Sequence, residues 1–188
     1  MMRYILTGTP GAGKTSILRG LQSRGYAVVE EAATMVIARL HALGVAEPWT
    51  DASFIDSIVT TQRQLQQQAE TQAGIAIYDR SPVCTHALSV HLGYPISATL
   101  AAELDRIRHG RVYERPVFFI RNLGFCEPTE ARRITFEDSL AFERVHEESY
   151  RELGFEIVEV PAAGLDERVS LVADLIAEFA GRDQGRWT

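Results

Sequence analysis

Residues 8–15 read Gly8-Thr9-Pro10-Gly11-Ala12-Gly13-Lys14-Thr15, after the apolar run Tyr4–Thr7 and before Ser16, Ile17, Leu18 and Leu21. The spacing is G-x-x-x-x-G-K-[ST], and it sits between a predicted strand and a predicted helix. That setting separates a phosphate-binding loop from a chance match. The glycines let backbone N–H groups turn inward around phosphate oxygens, and the following helix presents its positive dipole end. Lys14 can reach the β- and γ-phosphates as a point charge, while the Thr15 hydroxyl is placed to hold Mg²⁺. Gly8, Thr9, Pro10, Gly11, Ala12, Gly13, Lys14, Thr15 and Ser16 are therefore the candidate nucleotide site, with ATP as the donor and GTP as the alternative. The loop leaves the reaction open, because kinases, GTPases, ATPase motors and regulatory switches all use it.

Outward from the loop, strand and helix alternate. Short apolar runs at Tyr4–Thr7, Ala27–Val29, Ile75–Tyr78, Val117–Ile120 and Ile157–Val160 are rich in Ile, Val, Tyr and Phe and do not strictly alternate. Parallel strands buried on both faces look like this. Ile55, Ile58, Val59, Gln62, Leu65 and Ala69 form one helical stripe, and Val169, Val172, Ala173, Ile176 and Phe179 another. The glutamines of the Gln62–Gln72 stretch off that stripe read as a solvated helix face. The pattern predicts an α/β domain with a parallel sheet covered on both sides. One domain over residues 1–181, followed by a polar tail over 182–188, accounts for the chain.

In an open parallel sheet, ligands bind beyond the carboxyl ends of the strands. The second strand ends in Val28-Val29-Glu30-Glu31 and the third in Ile77-Tyr78-Asp79-Arg80-Ser81-Pro82. Asp79 can hold Mg²⁺ or take a proton from an acceptor, or else it caps the helix begun by Pro82, a role Ser81 can also fill. Arg80 can neutralise phosphate charge. One of Glu30 and Glu31 can bind or deprotonate an acceptor hydroxyl; Glu31 is the candidate, with the choice between the two left open. The alternative is that both simply favour the first turn of the next helix. After the fourth strand, Arg121-Asn122 opens a loop to Thr135 that contains Arg132 and Arg133. Small P-loop kinases carry a lid at that place, whose arginines close over the transferring phosphoryl group and exclude water.

The chain has 188 residues, 46% hydrophobic and 23% charged, with a formal net charge of −6. One core of ordinary size fits that length. The acidity argues against nucleic acid and anionic membranes as partners. Cys84 and Cys126 are too few for a disulfide framework and have no metal spacing. No apolar run approaches the roughly 20 residues that span a bilayer, and no secretory signal is visible. A cytoplasmic protein acting on a small-molecule acceptor is expected, with oligomeric state left open.

Weaker features remain. Arg106, Arg108, His109, Arg111 and Arg115 read as a helix C-terminus stopped by Gly110. Trp49, beside Pro48, either packs under a loop or stacks on a planar ligand. Phe136, Phe142, Val145 and Leu153 read as a core-facing stripe, with Glu143, Glu147, Glu148 and Glu152 solvated.

GTPGAGKT, VVEEAA, YDRSP with Gly93-Tyr94-Pro95, and ARRITFEDSLAFERVHEESYRELGFEIVEVP together cover most of the chain. They resemble the small AAA-type P-loop ATPases and kinases related to the ribosylnicotinamide kinase domain of NadR. The resemblance implies a P-loop NTPase fold of the nucleoside and nucleotide kinase kind, five parallel strands in the order 2-3-1-4-5, helices on both faces and a short lid. It places Lys14 and Thr15 on phosphate and Mg²⁺, Asp79 or a glutamate at 30–31 toward the acceptor, and Arg132 and Arg133 in the lid. Asp79-Arg80-Ser81 is closer to the E/D-R-S pattern of deoxynucleoside kinases than to the expected Asp-Arg-Gly, and Arg121-Asn122 stands where apolar residues or proline are expected.

Two readings follow. The first is an enzyme that moves the γ-phosphoryl group of ATP to a small, nucleoside-like hydroxyl. The second is a nucleotide-dependent switch with slow hydrolysis, although the guanine-reading N-K-x-D signature is absent where the chain reads Arg121-Asn122-Leu123-Gly124.

Overall fold

The computed structural model describes residues 1–69, 74–123 and 136–184. Strands β1 (Met2–Gly8), β2 (Ala27–Val29), β3 (Ile75–Asp79), β4 (Pro116–Ile120) and β5 (Glu156–Val160) form one sheet. The order is β2-β3-β1-β4-β5, and every pairing is parallel. Helices α1 (Lys14–Ser23), α2 (Ala32–Ala42), α3 (Ser53–Ala69), α4 (Pro82–His91), α5 (Ala98–His109), α6 (Phe136–Glu152) and α7 (Leu165–Gln184) connect them, with a 3₁₀ turn at Pro48–Thr50. All five expected strands and their expected order are present. Among the described residues no helix is long and apolar enough to cross a membrane.

Side chains alternate across a strand, and the two faces of the sheet build two cores. Tyr4, Leu6, Ile77, Phe118 and Val160 pack with Ile17 and Leu21 of α1 and Val172 and Ile176 of α7. Ile5, Ala76, Tyr78 and Val117 pack on the other face with Val59 of α3, Leu100 and Ile107 of α5, and Tyr150. A smaller cluster of Ala32, Val36, Phe54 and Ile58 joins α2 to α3, with Trp49 and Leu88 against it.

The side-chain pattern of α6 differs from expectation. Among the described side chains its buried positions are Ser139, Phe142, His146, Ser149 and Tyr150, while Val145 is only half-buried and the Phe136 side chain lies outside the described ones. Glu143 and Glu147 are not solvated. Both pair with Arg121 at the end of β4, which also reaches Glu159 of β5 and lies over the Phe119 ring. One guanidinium can serve several carboxylates because it carries five donors, and it draws those acids down onto the sheet edge. In α3, Gln66 is buried rather than solvated and accepts from Arg106. Arg106 also makes a bidentate pair with buried Glu103, so it turns inward instead of facing the helix end. Gly110 does follow α5, but its φ is −79° and the left-handed residue is Arg111, at φ 45°. Glycine is needed at 110 for space, since a Cβ there would lie 2.8 Å from the Arg106 carbonyl oxygen. At the C-terminus, α7 runs past residue 181 to Gln184.

Candidate functional site

Gly8 ends β1 at φ 134°, and Gly11 and Gly13 lie at φ 86° and 84°. These conformations favour glycine, and they fold residues 8–13 into a loop whose last residue caps α1. Within it the Ala12 N–H donates to the Thr9 carbonyl at 3.3 Å. Lys14 is buried and folds back, donating from Nζ to the carbonyls of Gly8 at 3.1 Å and Thr9 at 2.8 Å. Burial, followed by the charge of Arg80, lowers its pKa to about 7, against the opposing pull of Asp79 and Glu31. Thr15 and Ser16 stand exposed in the first turn of α1.

Asp79 pairs in register with Leu6, two residues short of the loop, and is buried. It does not cap α4. Ser81 does, with its Oγ accepting from the Val83 N–H at 3.2 Å and lying 2.8 Å from the Tyr150 hydroxyl. Between them Arg80 takes φ 71°, a left-handed conformation that costs a non-glycine residue about 1 kcal/mol. Its N–H donates to the Leu6 carbonyl at 3.0 Å, which ties the bend to β1.

The bend aims the Arg80 guanidinium between α2 and α6. Nε donates to Glu31 Oε1 at 2.6 Å, and Nη1 lies 3.3 Å from His146 Nε2. Glu31 is the residue before α2, and its other oxygen accepts from Thr34 at 2.7 Å. Burial alone would raise the pKa of Glu31, but Arg80, Lys14 and these hydrogen bonds hold it at about 2. Burial is the largest single effect on Arg80 and lowers its pKa, but Glu31, Cys84 and Asp79 together push it above its ordinary value. Glu30 is exposed. The structure thus brings Glu31, not Glu30, to the site.

His146 was not legible as a site residue. Its Nδ1 is 2.9 Å from the Phe142 carbonyl, which can only accept, so the proton sits on Nδ1 and Nε2 accepts from Arg80. Burial and then Arg80 lower its pKa to about 3, so it is neutral at physiological pH. A signal existed in the spacing 142, 146, 150, 153, a better helical stripe than 142, 145, 153. The linkage has a definite sign. Between pH 6.5 and about 3 the unfolded chain takes up a proton at this residue that the fold refuses, so stability falls as pH drops through that window and is unaffected above it. Thermal melts of wild type and His146→Gln at pH 7 and pH 4 check this: the variant is expected to lose less on acidification. Equal losses would remove His146 from the account.

Many of these groups open onto one cavity of about 730 Å³, while Ser81 and His146 stand behind its wall. Gly11, Gly13, Lys14, Thr15, Asp79, Arg80 and Glu31 line one end, and Ile37, Trp49, Phe54, Ile58, Leu88 and Phe142 form apolar walls. Gln62 and Thr85 meet there, Thr85 Oγ1 donating to Gln62 Oε1 at 2.9 Å. Trp49 lines the wall and is held by its carbonyl, which accepts from Tyr94 at 2.8 Å. Thr15 and Asp79 offer a hydroxyl and a carboxylate to the same space, the hard oxygen donors that Mg²⁺ takes beside phosphate oxygens, so the donor set fits that ion. Arg132 and Arg133 lie outside the described residues.

Strand order, loop and cavity define a class: a P-loop domain with the fold of a nucleoside kinase. The chain belongs to a family described as an AAA domain, whose profile it matches over residues 3–168. No curated protein matches the sequence. Among solved structures it is similar to deoxyadenosine kinase from M. mycoides with the products dCMP and dCDP, at a TM-score of 0.65 and 16% identity over 94% of this chain and all of that one. The same kinase with dATP gives a TM-score of 0.62, and with dCTP 0.57, at the same identity and coverage.

Proposed function

We propose that the protein transfers the γ-phosphoryl group of ATP to the hydroxyl of a small nucleoside-like acceptor. One observation carries this reading: the phosphate loop and an apolar compartment with a polar Gln62–Thr85 end share a single cavity. A pocket with flat apolar walls and an amide that can both donate and accept suits a planar heterocycle. Its other end presents two cations, Lys14 and Arg80, where phosphates would lie.

Phosphoryl transfer needs position and charge more than covalent help from the protein. In this reading the backbone N–H groups of Gly11 and Gly13, with Lys14, hold the donor phosphates. Arg80 neutralises charge on the transferring group, and Arg132 and Arg133 add to it. Thr15 and Asp79 would hold Mg²⁺, which neutralises phosphate oxygens when bound. Glu31, ionised well below neutral pH, accepts a hydrogen bond from the acceptor hydroxyl and orients it, with Asp79 alongside. A cytoplasmic setting, where ATP is plentiful, belongs to the same reading. The likeness to deoxyadenosine kinase and the resemblance to ribosylnicotinamide kinases both support a nucleoside or nicotinamide riboside as acceptor.

The test uses purified protein, Mg²⁺ and γ-labelled ATP or GTP with a panel of nucleosides, nicotinamide riboside and sugars. Label is expected in a nucleoside-like product. Gln62→Ala should raise the acceptor KM by about tenfold, as the loss of a buried polar contact does, and leave the KM for ATP unchanged. Slow hydrolysis indifferent to every acceptor would overturn the kinase reading in favour of the switch.

A further inference from the structure

Arg168 lies in the first turn of α7, far in sequence from the loop, and is 4% exposed. A buried guanidinium ordinarily has a carboxylate partner, because desolvating an unpaired charge is expensive. Arg168 has none among the described residues, and its Nε has no hydrogen-bond partner. Its one side-chain hydrogen bond among the described residues is from Nη1 to the Ala12 carbonyl at 2.8 Å, in the middle of the phosphate loop. Nη2 lies where a Cβ on Gly13 would come within 2.8 Å of it. Glycine at 13 is thus required twice, by φ and by this neighbour.

The placement is fixed from behind. The next residue, Val169, packs so closely on α1 that a Cβ on Gly20 would sit 2.6 Å from its methyl group. Helix α7 therefore lies close against α1 in a shared core, and Arg168 is carried on that packed helix.

We propose that Arg168 is a positioning residue for the phosphate loop: by holding the Ala12 carbonyl it aims the Gly13 N–H at the donor phosphates. The geometry follows from peptide planarity, which holds the carbonyl of residue 12 and the N–H of residue 13 in one plane, pointing in opposite directions. The carbonyl points toward Arg168, which is not on the cavity wall, whereas Gly13 is. The N–H then faces the cavity without having to reorganise when a nucleotide arrives, and such preorganised donors contribute most to binding and transition-state charge. With no carboxylate to neutralise it, Arg168 also adds a fixed positive charge behind the loop. This proposal rests on the reading that the loop binds nucleotide phosphates.

The experiment compares wild type, Arg168→Lys and Arg168→Met with MgATP as the probe. It measures ATP affinity by calorimetry, the Gly13 amide resonance by NMR during the ATP titration, and the separate KM values for ATP and acceptor. Arg168→Met should bind ATP between about tenfold and a hundredfold more weakly, the effect of losing a charge-assisted hydrogen bond. Its Gly13 amide should shift less on ATP addition, while the acceptor KM stays put. Arg168→Lys, which keeps the charge and one donor, should recover part of the affinity. A role confined to stability would lower the melting temperature and leave ATP affinity and the Gly13 shift unchanged, which overturns the proposal. If Arg168→Met does not fold, Arg168→Lys decides alone, since a point-like ammonium does not reproduce the planar guanidinium's approach to the Ala12 carbonyl. ATP affinity equal to wild type in that variant overturns the proposal, and a loss of about threefold or more with an unchanged acceptor KM supports it. Wild type that binds acceptor but no ATP would end both this proposal and the reading beneath it, whereas wild-type ATP binding matched by the variants ends only the proposal.

Discussion

Lys14→Ala should lower phosphoryl transfer by about a thousandfold, the scale on which single charge-stabilising donors act in such sites. Its melting temperature should stay within about 3 °C of wild type, since little folding energy is lost with a buried, half-neutral ammonium. In the ligand-free fold Lys14 Nζ is spent on two loop carbonyls, Gly8 and Thr9, and burial brings its pKa to about 7. Phosphates would raise that pKa again. Binding above neutral pH therefore draws a proton onto Lys14, and apparent ATP affinity weakens as pH rises beyond about 7. Calorimetry in two buffers of different ionisation enthalpy would reveal the uptake in wild type and its absence in Lys14→Ala. Full turnover in the variant would sink the assignment of residues 8–15 as the donor site.

Gly8→Ala should lower the melting temperature by about 10 °C, given a cost of about 3 kcal/mol or more for overpacking and strain together. An added Cβ would come 2.3 Å from the carbonyl oxygen of Ile120, its register partner on β4, and the φ of 134° is itself hostile to alanine. The intruding atom meets backbone, which cannot rotate away. Gly164→Ala is the control, because a Cβ there meets nothing within 4 Å and the φ is not left-handed. Differential scanning calorimetry of the pair checks the prediction, and matching melting temperatures would contradict the packing described at the β1–β4 junction.

The phosphate loop and the five strands could be read from residue order because their signals are local: glycine spacing, β-branched runs and the strand-to-helix change. Asp79 and Arg80 could also be found, since ligands gather at strand ends. What escaped were relations between distant residues. Glu143 and Glu147 look like a solvated face until Arg121 is seen to reach them from β4. His146 sits among those acids, and nothing local says that a guanidinium 66 residues away will present itself. Glu30 and Glu31 are chemically identical neighbours, and only the bend into α2 decides which one meets Arg80. Arg168 has no local signal at all.

The placing of β1 has a consequence for how the molecule is made. Within this domain the first strand in chain order is the central one, and its neighbours are β3, ending at Asp79, and β4, ending at Ile120. Gly8 is set by Ile120, and the loop is braced by Arg168 near the start of the last helix. Pairings so remote in sequence form slowly, after loop closure has been overcome. The nascent domain therefore carries its phosphate motif early yet cannot shape it until β4 and the start of α7 have been synthesised. Nucleotide binding, by this topology, marks a sheet whose remote strands have already paired.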